Sequence, residues 1–491
     1  MRLNRRKFLQ GAAALSSMHL LSLQPGATVV PDAQKTVVHL LLEGGPDFRH
    51  LFAPLPTSEY GLAYWKARAS IFESDADDSA EHSNLFSEHY EQVNLGTVSF
   101  GILKKAGWLI QQVQAGNVAI INSVVGSETR DHPHSVLVWS SGVHEARAQE
   151  LCRSGWGGRL SNHSQKRILS VTQQPLLFCN GPHPTVELNH SNANLVDAPN
   201  MENFSFTKKG SWNEGSSNPD PEHAVFRTLQ QYYQAKNSLI PSGSTFSSFL
   251  QTEQALRSLG ANVEGRLKEE IEPAGGYVIS DSNENHSFGS RRPQSLENLI
   301  RGENPLHLNF LARQLVNTYY GFACQDILDF NVVSMMVHGF DTHDTQRHEE
   351  EGIEIRLEEI LGVEKGLHTL TNQLQSDYPL TLQNLVFVLG GEFGRQLKSN
   401  GGLGTDHGRG NSVLVIGNQV QGGLYGELFP QEEIAVMEEW NRDIQGKTSF
   451  ERVFATISEW VSPGAGSAVF PLHSIRDLES EDTAILDFMN A

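Results

Sequence analysis

The sequence predicts an α/β protein in which helices cover both faces of a mainly parallel sheet. Five apolar, β-rich runs alternate along the chain with amphipathic helical stretches, which is the pattern of a parallel sheet built from crossover connections. The run at 385–389 is apolar at every position, as in strands that are buried on both faces. The predicted strands are 36–42, 117–122, 331–337, 385–389 and 412–416. The predicted helices lie near 58–70, 103–115, 305–320, 347–376 and 449–460.

The chain of 491 residues is predicted to form one core, residues 34–491, with one insertion. The pattern changes between about 186 and 298, where Asn, Ser, Gly and Pro are dense in 189–222 and 274–294. Amphipathic helices are predicted between them, at 222–236 and 245–259. We therefore expect a helical cap with flexible borders.

The first 33 residues are typical of a twin-arginine signal peptide. Arg5 and Arg6 precede Phe8-Leu9, and a short apolar stretch follows at 11–23. That stretch is shorter than the roughly 20 residues that span a bilayer, so no stable membrane span is expected. Cleavage after Ala27 or Ala33 fits the sequence. We expect the twin-arginine translocase to export the protein to the periplasm or the cell exterior. This route carries folded proteins, often with a bound cofactor.

The net charge and the cysteine spacing argue against several classes of binding partner and metal site. The formal net charge is −20, and cleavage after Ala27 would remove four cationic residues and bring it to about −24. So acidic a protein is not expected to bind nucleic acid or an anionic membrane. Cys152, Cys179 and Cys324 show no C-x-x-C spacing, so a thiolate zinc site is not expected. One bridge, between Cys152 and Cys179, can form outside the cytoplasm.

Four predicted strands end in polar loops that carry metal-ligating residue types. Every one of these loops contains a carboxylate and three contain histidine, a combination that suits zinc or manganese-like ions. Several carboxylates together allow one or two divalent ions. In open α/β sheets, ligands bind beyond the carboxyl ends of the strands. The loops are 43–47, 127–135, 338–344 and 392–407, the last of which is rich in glycine.

At these loops the chain resembles a known family. The motifs are Gly44-Gly45-Pro46-Asp47, Gly155-Trp156-Gly157-Gly158-Arg159, Gly339-Phe340-Asp341-Thr342-His343, Gly391-Glu392-Phe393-Gly394-Arg395 and Gly404-Thr405-Asp406-His407-Gly408. Together with the leader they resemble the domain-of-unknown-function family 1501 (DUF1501), over most of residues 36–430. That family is similar to the alkaline phosphatase and sulfatase superfamily. The resemblance implies an alkaline-phosphatase-like three-layer sandwich and hydrolysis of phosphate or sulfate esters with one or two metal ions.

The resemblance also implies a ligand set. Asp47 matches the acidic metal ligand after the first strand. Asp341 and His343 match the Asp and His ligands of one metal half-site. Glu392 and His407 match the acidic and His ligands that come late in the chain, and Asp406 is the next candidate ligand. An alternative for the third strand is Asp344 with His348, because D-x-x-x-H spacing would put both on one helical face. His338, His348 and His368 are otherwise expected to be structural or exposed.

The sequence departs from the superfamily at the nucleophile, because the expected position falls near His132. Either His132 is itself a nucleophile or metal ligand, or Ser135, Thr129 or Ser127 attacks, or a metal-activated water attacks without a covalent step. The fourth alternative is that nothing attacks. Arg130 or Arg395 could neutralise an anionic transition state, and His132 could transfer the leaving-group proton. Arg395 could equally form a structural salt bridge.

Two functional hypotheses follow from these residues. The first is an exported metal-dependent hydrolase acting on an ester of a small molecule or polymer, with the insertion shaping its pocket. The second is a non-catalytic exported protein that uses the same fold to bind a ligand or partner.

Overall fold

The computed structural model describes residues 34–147, 153–183, 190–191, 194–201, 258–263, 265–267, 293–344, 346–471 and 486–490, together with residue 255. The predicted signal peptide, Cys152 and most of the predicted insertion lie outside these residues. Cys179 is a free, buried thiol. The proposed bridge to Cys152 stays a prediction.

Within the described residues, nine strands form one central sheet. Its order is β15-β5-β14-β11-β1-β10-β6-β9, with β16 paired to β5. The strands in chain order are β1 Thr36–Leu42, β2 Phe52–Pro54, β3 Tyr90–Leu95, β4 Val98–Leu103, β5 Val118–Val125, β6 Arg167–Ser170, β7 Gly181–Pro182, β8 His190–Ser191, β9 Leu195–Asp197, β10 Phe330–Val337, β11 Leu385–Gly390, β12 Gly394–Arg395, β13 His407–Gly408, β14 Asn411–Ile416, β15 Gly423–Tyr425 and β16 Thr448–Ser449.

The central sheet is mainly parallel, which confirms the prediction of an α/β protein with a mainly parallel sheet. β1 pairs in parallel with both β10 and β11, and β10 pairs in parallel with β6. β14 runs antiparallel to its neighbours β11 and β5. All five predicted strands are present in this sheet.

Helices surround the sheet. They are α1 Phe48–Leu51, α2 Glu59–Ala67, α3 Ser79–His89, α4 Gly107–Gln114, α5 His132–Ser141, α6 Trp156–Ser164, α7 Gln294–Arg301, α8 Asn309–Ala323, α9 Gln325–Leu328, α10 Ile353–Leu361, α11 Gly366–Asp377, α12 Pro379–Gln383, α13 Phe450–Val461 and α14 Ala465–Val469. Short 3₁₀ turns lie at Ala69–Phe72, Lys104–Ala106, Leu177–Cys179 and Gln431–Val436.

Each face of the sheet packs against its own hydrophobic cluster. Along β1, Val38, Leu40 and Leu42 enter one cluster, which also contains apolar residues of α4, α8, α10 and α11. Val37 and Leu41 enter the other, which contains apolar residues of α5, α6, α13 and α14. Because successive strand side chains point to opposite faces, this division shows helices on both sides of the sheet.

Several elements differ from the sequence prediction. A second sheet, β2-β4-β3, was not predicted. The helix predicted at 347–376 is two helices, α10 and α11, and begins at Ile353. β9, which the sequence placed in the insertion, forms an edge of the central sheet and pairs in parallel with β6.

Among the described helices, none combines the length and the apolar character needed to cross a membrane.

Candidate metal centre

The loops that carry the candidate residues meet at one edge of the central sheet. β5, β1, β10 and β11 all end at this edge, and β14 begins there because it runs the opposite way. Inside the loop between β11 and β14, β12 and β13 pair Arg395 with His407. The topology therefore brings loops that are distant in sequence to one place.

Three histidines surround the Asp341 carboxylate. The Nε2 atoms of His407 and His343 lie 2.9 and 3.1 Å from Asp341 Oδ1, and 2.8 Å from each other. His132 Nε2 lies 3.4 Å from Asp341 Oδ2, is buried, and has no hydrogen-bond partner. Ligand atoms of His132, Asp341 and His407 all lie within 4.8 Å of one another. The structure thus places four metal-ligating side chains together.

The opposite nitrogen of each ring faces a hydrogen-bond acceptor. His132 Nδ1 lies 2.8 Å from Glu392 Oε1, and His343 Nδ1 lies 2.9 Å from Asp406 Oδ1. His407 Nδ1 lies 2.9 Å from the carbonyl oxygen of Arg130. A carbonyl only accepts, so His407 carries its proton on Nδ1 in the neutral form. Carboxylate acceptors favour the same tautomer in the other two rings.

Asp341 is held ionised. Burial alone would raise the pKa of Asp341, but its contacts with His407 and Arg395 lower it to about 2. Burial lowers the pKa of His407, whereas the hydrogen bond to Glu392 raises that of His132. An anionic carboxylate beside a neutral imidazole is the form in which both groups ligate a metal ion.

Arg395 is fully buried and holds the loops together. Its guanidinium donates to Asp341 Oδ1 at 2.8 Å and to backbone carbonyls of three loops. These carbonyls belong to Gly44, Gly45, Phe340 and Thr405. Because these contacts use its Nε and both terminal nitrogens, Arg395 positions Asp341 and is not poised to bind an anionic ligand.

Asp47 is buried outside this cluster. Its Oδ2 accepts hydrogen bonds from Arg68 Nη1 at 2.5 Å and from Gln346 Nε2 at 2.9 Å. Burial would raise the pKa of Asp47, but the Arg68 charge lowers it below its ordinary value. The carboxylate predicted as the first metal ligand is therefore already paired with a buried guanidinium.

Arg130 lies at the rim, where its side chain is partly exposed. It donates to Asp443 at 2.8 Å and to Asn441, and Asp443 also pairs with Arg409. The backbone carbonyl of Arg130 supports His407, so this residue contacts the cluster through its main chain.

The candidate hydroxyls belong to the loop that follows β5 and to α5. Ser135 is fully buried, and its hydroxyl donates to the Thr129 carbonyl at 3.3 Å. The Thr129 hydroxyl is exposed and lies 2.9 Å from His134 Nδ1. The Ser127 hydroxyl lies 3.0 Å from the Thr129 hydroxyl. No contact in the described part of the chain joins Ser135 to Asp341.

The alternative pair, Asp344 with His348, does not share a helical face. Residues 346–350 form turns and α10 begins only at Ile353. His348 Nδ1 instead accepts from the backbone of Glu350 and Glu351. Of the other histidines expected to be structural or exposed, His338 pairs with Glu43 at 2.8 Å and His368 accepts from the backbone of Glu364.

Two supporting residues were not anticipated from the sequence. Asn400 donates to Asp406 Oδ1 at 3.0 Å, and the Phe393 ring packs 4.6 Å from the ring of His407. The Asn400-Gly401 dipeptide is a turn signal, but a turn does not reveal which carboxylate its side chain will reach.

The described residues therefore define a mixed α/β protein with a mainly parallel sheet and a histidine-carboxylate cluster at one sheet edge. A sequence model of the family described as "Protein of unknown function (DUF1501)" matches residues 328–440. This match supports the resemblance to DUF1501 and includes Asp341, His343, Glu392, Arg395, Asp406 and His407. No curated protein matches the chain.

Proposed function

We propose that the protein is an exported metal-dependent hydrolase of phosphate or sulfate esters, with its ion held by His132, Asp341, His343 and His407. The observation that carries the metal centre is the convergence of three imidazole Nε2 atoms on one carboxylate. The ester chemistry is supported by the resemblance to the alkaline phosphatase and sulfatase superfamily. Export is supported by the leader sequence.

The convergence calls for a cation. With Nδ1 facing an acceptor, each neutral ring presents a lone pair at Nε2. Two such lone pairs, on His343 and His407, lie 2.8 Å apart beside an anionic oxygen of Asp341. Lone pairs at this distance repel one another unless a proton or a metal ion lies between them. A bound cation removes that repulsion.

The donor set fits a divalent transition metal. Imidazole nitrogens with a single carboxylate suit zinc, and manganese-like ions accept the same mixture. A divalent ion bound here would supply Lewis-acid chemistry, polarising an ester oxygen and acidifying a water molecule. The Asp341 side chain is partly exposed, which leaves the cluster open to a ligand from solvent.

The chain's own residues divide the remaining work. Arg395 donates a hydrogen bond to Asp341 Oδ1, and this contact keeps the carboxylate oriented and ionised. Arg130 places a guanidinium at the rim, where it is paired with Asp443. The guanidinium could contact an anionic ester either while it remains paired with Asp443 or after that ion pair breaks. His132 stands between Glu392 and Asp341, so it serves as a ligand through Nε2 while Glu392 holds the opposite side of its ring.

The test is metal content and turnover of protein purified after export. Wild type is compared with a combined Asp341→Ala and His407→Ala variant by elemental analysis. The matched control is Asp344→Ala with His348→Ala, which removes the same residue types nearby but outside the cluster. We expect about one ion per chain in wild type and control, and loss of the ion from the cluster variant. Aryl phosphates and aryl sulfates are then screened with metal-loaded protein.

The results separate the two functional hypotheses. Metal with turnover of either ester supports the hydrolase. Metal without turnover on either ester class favours a non-catalytic binding protein, and wild type that is as metal-free as the cluster variant refutes the metal centre.

A further inference from the structure

We propose that Glu392 and Asp406 position two metal-binding imidazoles without coordinating the ion, so that the centre takes a single divalent ion. This inference rests on the metal centre of the proposed function. It departs from the ligand set that the superfamily resemblance implies, in which both carboxylates coordinate.

Glu392 lies on the wrong side of an imidazole to reach the cluster centre. Its carboxylate is 2.8 Å from His132 Nδ1, whereas His132 Nε2 faces Asp341. The two nitrogens of an imidazole point away from each other, so the ring separates Glu392 from the other donors. Glu392 is also buried and accepts from the backbone N–H of Gly44 at 3.0 and 3.2 Å. These contacts fix the His132 ring in one orientation.

Asp406 stands in the same relation to His343. Its Oδ1 lies 2.9 Å from His343 Nδ1, while His343 Nε2 faces His407 and Asp341. Asn400 donates to the same oxygen at 3.0 Å and also to the carbonyl of His343. The carboxylate is thus tied to the ring it orients. Carboxylates in this position set the tautomer of a ligating histidine and strengthen it as a donor.

A second ion lacks a free carboxylate among the four predicted acidic ligands. Asp47, the remaining carboxylate of the predicted set, is paired with Arg68 in a buried contact. Freeing it would leave the Arg68 guanidinium buried without its anion, which is strongly unfavourable. With Glu392, Asp406 and Asp47 engaged elsewhere, Asp341 is the carboxylate of the predicted set that is left for the ion.

Titration of metal-free, full-length protein with Co²⁺ tests both parts of the inference. The visible absorption bands of bound Co²⁺ report coordination, their end point reports stoichiometry, and chelator competition gives Zn²⁺ affinity. The conservative variants Glu392→Gln and Asp406→Asn keep an oxygen acceptor for Nδ1. Glu392→Ala and Asp406→Ala remove it, and His407→Ala removes a ligand.

We expect about one Co²⁺ per chain in wild type, with unchanged bands in the two conservative variants. The alanine variants should keep that stoichiometry and lose about 10- to 100-fold in Zn²⁺ affinity, which the conservative variants should largely restore. His407→Ala should alter the bands themselves. Because the conservative variants change few contacts, they test the inference even if an alanine variant fails to fold.

Two Co²⁺ ions per wild-type chain, or altered bands in Glu392→Gln or Asp406→Asn, would overturn the inference while leaving a metallohydrolase possible. Wild type that binds no Co²⁺ would overturn both proposals. One ion with the expected variant pattern but no ester turnover would support the inference and remove the proposed reaction.

Discussion

Replacing Gly44 by alanine should disturb the candidate centre more than the same change at a matched glycine. Gly44 has φ +115°, and a Cβ there would lie 2.3 Å from the Asp341 backbone nitrogen and 2.6 Å from the Phe340 carbonyl carbon. Gly96 also has positive φ, +63°, but a Cβ there would have no heavy atom within 4 Å. Both substitutions therefore place an L-residue at positive φ, but only the one at Gly44 also brings a Cβ into contact with neighbouring backbone atoms.

The structure sets the size of the difference. An L-residue in the left-handed region costs about 1–2 kcal/mol, which applies to Gly96, and the cost is at least as large at Gly44, whose φ lies outside that region. At Gly44 the new methyl group must also push backbone atoms apart, and overpacking of this kind costs about 1–3 kcal/mol. We expect Gly44→Ala to lower the free energy of unfolding by about 2–5 kcal/mol, and Gly96→Ala by about 1–2 kcal/mol.

Denaturant unfolding of both variants in the presence of a chelator measures this difference without a contribution from bound metal. Metal affinity provides a second measurement, because the displaced atoms belong to Asp341. Gly44→Ala should weaken Zn²⁺ binding and Gly96→Ala should not. Equal stability losses, together with equal Zn²⁺ affinity in the two variants, would refute the argument that contact between these loops holds Asp341 in place.

Three other predictions follow from the buried polar groups. Arg68→Met should lower the free energy of unfolding by about 3–5 kcal/mol because it strands the Asp47 carboxylate, and adding Asp47→Asn should recover part of this loss in denaturant titrations. Ser135→Ala should cost at most about 1 kcal/mol and leave metal content and ester turnover unchanged; normal metal content with abolished turnover would instead identify Ser135 as the nucleophile. Burial would raise the pKa of Glu354, but its partners hold this pKa below the ordinary 4.5. Its stabilising contribution is therefore complete above about pH 4.5 and is lost as pH falls through the lower folded value. Glu354→Gln should flatten the acid limb of the stability profile, and a slope identical to that of wild type would contradict this assignment. The groups that face Glu354 are His50, Arg347 and Lys105.

The central strands could be predicted because burial on both faces leaves an uninterrupted apolar run. β1 and β11 are buried at every residue, and the sequence marks both. Direction is not encoded in such a run, so the antiparallel course of β14 could not be read from Ser412–Ile416. The sheet β2-β4-β3 was missed because β2 has three residues and β3 is largely polar, with only Tyr90 and Val93 buried.

The site was predicted in outline for a related reason. A polar residue directly after a buried strand lies at the sheet edge whatever its partners are, which is why Asp341 and Glu392 could be placed there. What each carboxylate contacts depends on groups far away in sequence. Asp47 and Asp341 occupy similar positions in the sequence, each shortly after a strand. The folded chain shows that Asp47 pairs with Arg68, whereas three histidines surround Asp341. The signal peptide and the predicted insertion lie largely outside the described residues.

The antiparallel course of β14 also limits how a bound ion could escape. The segment carrying Glu392, Arg395, Asp406 and His407 leaves the middle of the sheet through β11 and re-enters it through the adjacent β14. Both of its ends continue into fully buried strands, so neither end can detach from the sheet unless a buried strand is disrupted. Complete detachment of this segment would therefore require opening of the sheet interior, and an ion released by that route should leave no faster than the amide protons of β11 and β14 exchange with solvent.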